Sequence, residues 1–430
     1  MKRWTINRTR ALLRQQGPSS LIFRRRVAMV GGAITIGLVA LLFAHLSDRA
    51  SALFNALYLH YPYLPLALTP IGFAAIVWIT NRVAPDARGS GIPQVIAAKA
   101  DPEGATRALI SMPTAILKAV LTFLALLCGA SVGREGPTVQ LAAATMAVWH
   151  RVLALPLRAS MMVAGGAAGV AAAFNTPLAG IAFAIEELAA AYEQRMALLV
   201  MTAILISGAV ASGLAGNYVY FGLIDASLDI RAVIVIAPVA GILGGLTGGM
   251  FARLVLAAVR KDIIGLRRLQ RRPIVFAGVC GLAVAAIGVG TGLTWGTGYA
   301  PARAIISGAD APIWFGFAKF GATLATAVAG LPGGIFSPSL ATGAGFGNML
   351  RWLFPGEPAS AVVLLGMVAY FAGVVRAPLT AVFILTETTA SRGLMLPMIA
   401  AALVADQASQ RVCREKLYHG LSTTFATRTA

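Results

Sequence analysis

The sequence predicts an all-α, polytopic membrane protein built as an inverted repeat of broken helices. Three observations predict it. Of 430 residues, 58% are hydrophobic and only 12% are charged, with a mean hydropathy of +0.79. A water-facing domain of this size cannot carry so much apolar side chain on its exterior. The apolar residues form long runs rich in Ala, Leu, Val and Gly, unlike the short alternating segments of a transmembrane barrel. The runs also recur in two similar series, interrupted by Gly or Pro at matching places, as in inverted-repeat transporters that bind substrate near the midplane.

The formal net charge is +19, which by itself would also suit a nucleic-acid binder. The basic residues, however, collect at 2–26, 261–272 and 411–416, between or beyond apolar runs. That is the positive-inside pattern, and it predicts both termini and the middle loop in the cytoplasm. No basic patch is interleaved with stacking aromatics, so no nucleic-acid partner is expected. Cys128, Cys280 and Cys413 are odd in number and far apart, and His45, His60, His150 and His419 are scattered. Neither a disulfide framework nor a metal site is indicated, and no cofactor is expected.

Taken in order, residues 1–26 are basic and too polar for a cleavable signal peptide, and 10–26 form a cytoplasmic, partly amphipathic lead-in. The first span is 27–46. Residues 61–80 are apolar but opened by Pro62, Pro65 and Pro70, and a polar interval at 81–94 contains Gly89-Ser90-Gly91-Ile92-Pro93. Apolar segments follow at 112–130, 138–149, 161–173, 177–188 and 196–214. The second series comprises 233–259, 274–292, 315–329, 339–353, 361–373, 379–385 and 394–404, with a glycine-rich break at 330–338. Many of these are too short to cross a core of about 30 Å at 1.5 Å per residue. Broken helices are therefore expected, with non-helical backbone confined to a cavity enclosed by protein. The organisation read from this is one integral membrane domain: a cytoplasmic segment 1–26, a first half 27–225, and a second half 226–430 with a short cytoplasmic end.

Three windows share the form Gly-x-x-x-Pro: 89–93, 133–137 and 334–338. Glycine permits a sharp turn and proline suits the first turn of a helix, so each can start a helix whose free N–H groups face an anion. The spacing alone is cheap, since it also occurs at 308–312 and 393–397. Composition separates the three. Ser90 adds a neutral hydroxyl donor. Arg134 and Glu135 place charge in surroundings as apolar as lipid, which makes them functional candidates. At a helix start the Glu135 carboxylate would occupy the place of an anion, and protonation would release it. Glu186 and Glu187 close the segment 177–188; adjacent helical residues point about 100° apart, so at most one faces a given cavity. That divergence also argues against an intramembrane enzyme, which would want paired acids on one cavity.

Gly-Ser-Gly-Ile-Pro at 89–93, Gly-Arg-Glu-Gly-Pro at 133–137 and Gly-Ile-Phe-Ser-Pro at 334–338, with Tyr418 after the last apolar run, stand in the order and spacing of the CLC family. The chain resembles its chloride channels and chloride/proton exchangers from about residue 24 to 422. The resemblance implies the CLC-type inverted repeat of tilted and broken helices, a homodimer in the lipid bilayer with one pathway per subunit, and chloride ions and protons as substrates. It further implies that Ser90, Gly91, Ile92, Glu135, Gly136, Ile335, Phe336 and Tyr418 surround the anion. On the same basis Glu135 is the external gate and proton carrier and Glu187 the internal proton carrier. A prokaryotic type without cytoplasmic CBS domains is expected, in a cell inner membrane, exchanging chloride for protons; a passive chloride channel is the alternative. Serine at position 90 departs from the nitrate-preferring type, and the intact motifs depart from the fluoride-exporting branch.

Overall fold

Proline punctuates the helices. It stands in the first or second position of those beginning near Pro65, Pro93, Pro102, Pro113, Pro177, Pro273 and Pro378. There its missing N–H costs nothing and its fixed φ suits the first turn. The computed structural model describes residues 18–188, 194–216 and 219–426. Of the lead-in expected at 10–26, residues 10–17 lie outside the described residues, and 18–26 are the first turns of a long helix rather than a separate segment.

In chain order the helices are α1 (Pro18–His60), α2 (Pro65–Val83), α3 (Ile92–Ala98), α4 (Pro102–Ala105), α5 (Met112–Leu127), α6 (Glu135–Val152), α7 (Ala159–Phe174) and α8 (Pro177–Phe183). A π-turn, Ala184–Leu188, continues α8 and precedes α9 (Gln194–Ala215). The second series is α10 (Ile230–Arg260), α11 (Ile264–Gln270), α12 (Pro273–Thr291), α13 (Tyr299–Ile306), α14 (Phe315–Val328), α15 (Phe336–Leu353) and α16 (Ala359–Val375). It ends with α17 (Pro378–Thr389), α18 (Met395–Val412) and α19 (Leu417–Ala426). Among the described residues, α1, α2, α9, α10 and α12 are long and apolar enough to cross a membrane.

The innermost layer is α6, α7, α15 and α16. Every residue of α16 from Ala361 to Val375 is buried, as expected of a helix that is apolar on all sides. The longer helices surround this layer and expose Leu, Ile and Val such as Leu42, Leu205, Ile242 and Leu282, the signature of a lipid-facing surface. α1 runs well beyond the expected span of 27–46. Its hydroxyls are satisfied inside the helix: Ser47 Oγ donates to the Phe43 carbonyl at 2.8 Å, and Ser51 Oγ to that of Ser47 at 3.1 Å. Polar residues therefore do not end it.

The two series are in register. Lys118 and Lys319, Thr122 and Thr323, Gly129 and Gly330, Gly133 and Gly334, Pro137 and Pro338, Gly165 and Gly366, Pro177 and Pro378, and Glu186 and Glu387 each stand 201 positions apart. The backbone agrees: Asn175 and Arg376, also 201 apart, both cap a helix in the left-handed conformation. Gly133 and Gly334 pair antiparallel with each other, as residues related by a two-fold axis must.

The same symmetry appears as reciprocal capping. Glu186 accepts from the N–H groups of Leu379 (2.9 Å) and Thr380 (2.8 Å) at the start of α17. Glu387 accepts from those of Leu178 (3.1 Å) and Ala179 (2.9 Å) at the start of α8. Each carboxylate thus satisfies donors that have no acceptor within their own helix. Glu186→Ala and Glu387→Ala are each expected to destabilise by roughly 1–3 kcal/mol. Thermal unfolding in detergent measures this; a loss at one position only would contradict their equivalence.

Candidate functional site

The three Gly-x-x-x-Pro windows are lashed together through their backbones. Gly89 N–H donates to the Leu331 carbonyl at 3.2 Å, and Gly333 N–H to that of Gly89 at 3.1 Å. Gly133 and Gly334 exchange two bonds of 2.7 Å. From this knot α3, α6 and α15 set out, so their first-turn N–H groups and positive dipole ends share one neighbourhood. Gln94 Nε2 fixes the first loop by donating to the carbonyls of Asp86 (3.0 Å) and Arg88 (2.7 Å). Gly91 has φ +113°, and a Cβ there would lie 2.5 Å from the Gly136 carbonyl oxygen. Only glycine meets both conditions.

Glu135 is the first residue of α6 and is 1% exposed. Its Oε1 accepts from Ser337 Oγ, in the first turn of α15, at 2.5 Å, while its Oε2 has no partner. The carboxylate therefore sits between two helix N-termini. Arg134 does not neutralise it: Nη1 lies 2.6 Å from Asp48 Oδ1 and donates to the Ala44 carbonyl at 2.7 Å, both on α1. The buried lysines Lys118 and Lys319 stand at matching positions of α5 and α14, and Lys319 Nζ donates to the carbonyls of Thr294 (2.9 Å) and Gly296 (2.8 Å). The converging helix N-termini make this interior favourable to negative charge.

A cavity of about 620 Å³ leads to the knot, and Ser90, Gly334, Ile335 and Tyr418 are among its lining residues. The hydroxyls of Ser90 and Tyr418 are buried beside each other, and neither is bonded to any other protein group. Such groups are costly in a folded interior unless a ligand or solvent uses them. Behind them Phe336 packs against Phe371, Tyr418, Phe183 and Phe174, with ring centroids 5.0, 5.9, 5.9 and 6.2 Å away. This joins α7, α8, α15, α16 and α19 at one point. Glu135 is not among the residues that line this cavity.

The sequence-predicted residues Ser90, Gly91, Ile92, Glu135, Gly136, Ile335, Phe336 and Tyr418 are thus brought together. Glu187 stands apart, in the π-turn after α8. Its carboxylate is fully buried, with Lys416 Nζ 3.3 Å from Oε1 and His419 Nδ1 3.5 Å from Oε2. Glu186 is turned away onto α17, so the two neighbouring acids do separate. Sequence reasoning missed Ser337, Lys416 and His419. Ser337 lay in plain view inside the window 334–338, whereas the two basic residues flank Tyr418 and point to nothing local.

Residues 71–410 match the family described as Voltage gated chloride channel. The H(+)/Cl(-) exchange transporter ClcA of Yersinia pestis bv. Antiqua (strain Angola) is 32% identical over 383 residues, covering 83% of this chain and 77% of that protein. The fold is that of a solved structure titled a slow cyanobacterial Cl⁻/H⁺ antiporter: TM-score 0.79, 22% identity, 94% of this chain and 98% of that one. A CLC-type fluoride/proton antiporter superposes with TM-score 0.80 and 22% identity over 95% of this chain and 99% of that one. With matched residues over most of its length and helices suited to span a bilayer, the chain belongs to the Voltage gated chloride channel (CLC) family of multi-pass membrane proteins.

Proposed function

We propose that the protein exchanges chloride for protons across a cell inner membrane, about two chlorides per proton as in the exchangers it resembles. The observation that carries this reading is the Glu135 carboxylate, held by Ser337 between the N-termini of α6 and α15. There it stands in for an anion. When protonated it loses its attraction to the helix ends, and a chloride takes its place. The chloride is then held by the Ser90 and Tyr418 hydroxyls and by backbone N–H groups around Gly91, Ile92, Gly136, Ile335 and Phe336. All of these are neutral donors, which hold an anion without trapping it.

Proton and anion thus compete for one location, and that competition couples their movements. Glu187 is the second proton carrier. It lies on the face that also carries Arg260, Lys416 and the loop around Lys261, which the basic residues assign to the cytoplasm. Both termini belong on that side. The two series in register are the halves 27–225 and 226–430 of an inverted repeat, and a homodimer with one pathway per subunit is the expected assembly.

The test is uphill transport. In proteoliposomes an imposed chloride gradient is expected to drive protons against their own gradient. The reversal potential is expected to shift with both gradients in the ratio of the stoichiometry. Proton flux that never exceeds leak, with chloride flux intact, would leave a passive channel.

A further inference from the structure

Glu187 presents a supply problem. Its side chain is fully buried, so water cannot protonate it directly, yet the exchange proposed above requires a proton at each turnover. Its Oε1 is engaged by Lys416 at 3.3 Å. Oε2 is the free end: it has no hydrogen-bond partner, and the atom facing it, His419 Nδ1 at 3.5 Å, has none either. An unpartnered acceptor and an unpartnered ring nitrogen thus face each other a few tenths of an ångström beyond hydrogen-bond distance. The His419 side chain is 42% exposed.

The neighbouring groups are otherwise committed. Lys99, at the end of α3, donates to the Leu188 carbonyl. Lys416 Nζ also donates to the Glu186 carbonyl at 3.2 Å, and the Glu186 carboxylate caps α17. On the α10 side Arg260 pairs with Glu415 at 2.6 Å, and after α16 Arg376 pairs with Asp406 at 3.1 Å. Tyr418 is buried with its hydroxyl in the cavity. Among the described residues, His419 is the titratable group that meets both solvent and Glu187 Oε2.

We propose that His419 relays protons between the aqueous cytoplasmic face and Glu187, resting on the exchange reading above. Imidazole is the side chain that exchanges protons in the neutral range. In the inward step His419, starting as the Nδ1–H tautomer, takes a proton from solvent at Nε2 and becomes imidazolium. The Nδ1–H bond then breaks as an O–H bond forms on Glu187 Oε2, leaving a neutral Nε2–H imidazole and a neutral carboxylic acid; a flip of the partly exposed ring, with proton exchange against water, restores the Nδ1–H form for the next turn. The outward step is the reverse. Lys416 faces the other oxygen, Oε1, and serves to keep it in place.

The experiment compares wild type, His419→Gln and His419→Ala in proteoliposomes, each oriented by one-sided inhibition or labelling. Both variants are expected to exchange at least about tenfold more slowly, in keeping with loss of a positioned proton-transfer group. Their rate should depend on pH at the cytoplasmic face differently from wild type. Millimolar imidazole added on that face, and not on the other, is expected to restore the rate of His419→Ala; restoration also shows that the variant is folded. Wild-type rates and pH dependence in both variants would overturn the relay, as would a slow His419→Ala that imidazole does not rescue. A wild-type protein that moves no protons uphill would overturn the exchange reading and the relay with it, whereas wild-type exchange with indifferent variants removes the relay alone.

Discussion

Glu135→Gln is expected to stop coupled proton movement while chloride continues to pass. Glutamine copies the shape of the protonated acid and keeps a group beside Ser337, but it cannot release or take a proton. The negative charge between the N-termini of α6 and α15 is lost permanently, so the anion no longer competes with a tethered carboxylate. Proton flux driven by a chloride gradient should fall by roughly 10²-fold or to leak, the scale on which a positioned proton-transfer group acts. Chloride flux should persist and lose its dependence on pH. Parallel recordings of chloride efflux and internal pH in proteoliposomes measure both at once. Retained coupling in this variant would remove Glu135 from the mechanism and return attention to Glu187 alone.

Gly91→Ala is expected to damage the site and the fold together. The residue has φ +113° and its Cβ would stand 2.5 Å from the Gly136 carbonyl oxygen, a backbone atom of the neighbouring window that no rotamer change can move. Left-handed backbone costs an alanine about 1–2 kcal/mol. Relieving the collision requires the loop before α3 to separate from α6, at a further cost on the order of 2 kcal/mol. Gly89→Ala separates the two effects. Gly89 also has positive φ, +68°, but nothing lies within 4 Å of a Cβ there, so only the conformational part is expected. The thermal midpoint should drop much more for Gly91→Ala than for Gly89→Ala, and only the former should lose most chloride flux. Equal losses would show that backbone strain, and not the contact between windows, sets the requirement for glycine.

How much of this was legible in advance differs between residues. Helices begin at or within about three residues of most expected apolar starts, because Pro and Gly act on their own local backbone. The overlong α1 was not legible, because Ser47 and Ser51 read as polar breaks until their hydroxyls are seen bonded within the helix. The register of 201 positions was present in the sequence. It was obscured because the matches are single Gly, Pro, Lys and Glu residues among interchangeable Ala, Leu and Val. The charged residues divide in the same way. That Glu186 and Glu187 could not share one role followed from helix geometry alone. Which one goes where did not, since Glu186 finds its donors 193 positions away on α17.

The window Gly133 to Pro137 shows where the boundary falls. From the sequence alone came a helix start, a carboxylate too costly to be idle in apolar surroundings, and a family whose order of motifs this chain keeps. These are short-range or compositional facts, fixed by side-chain chemistry and by residues within one helical turn. Only the tertiary structure decided that Glu135 is held by Ser337, that Arg134 serves Asp48 on α1 instead, that three windows are knotted by backbone bonds, and that His419 faces the free oxygen of Glu187. Those pairings depend on the folding of segments tens to hundreds of residues apart. Hydrophobic periodicity specifies which face of a helix is buried, but not which partner it will meet.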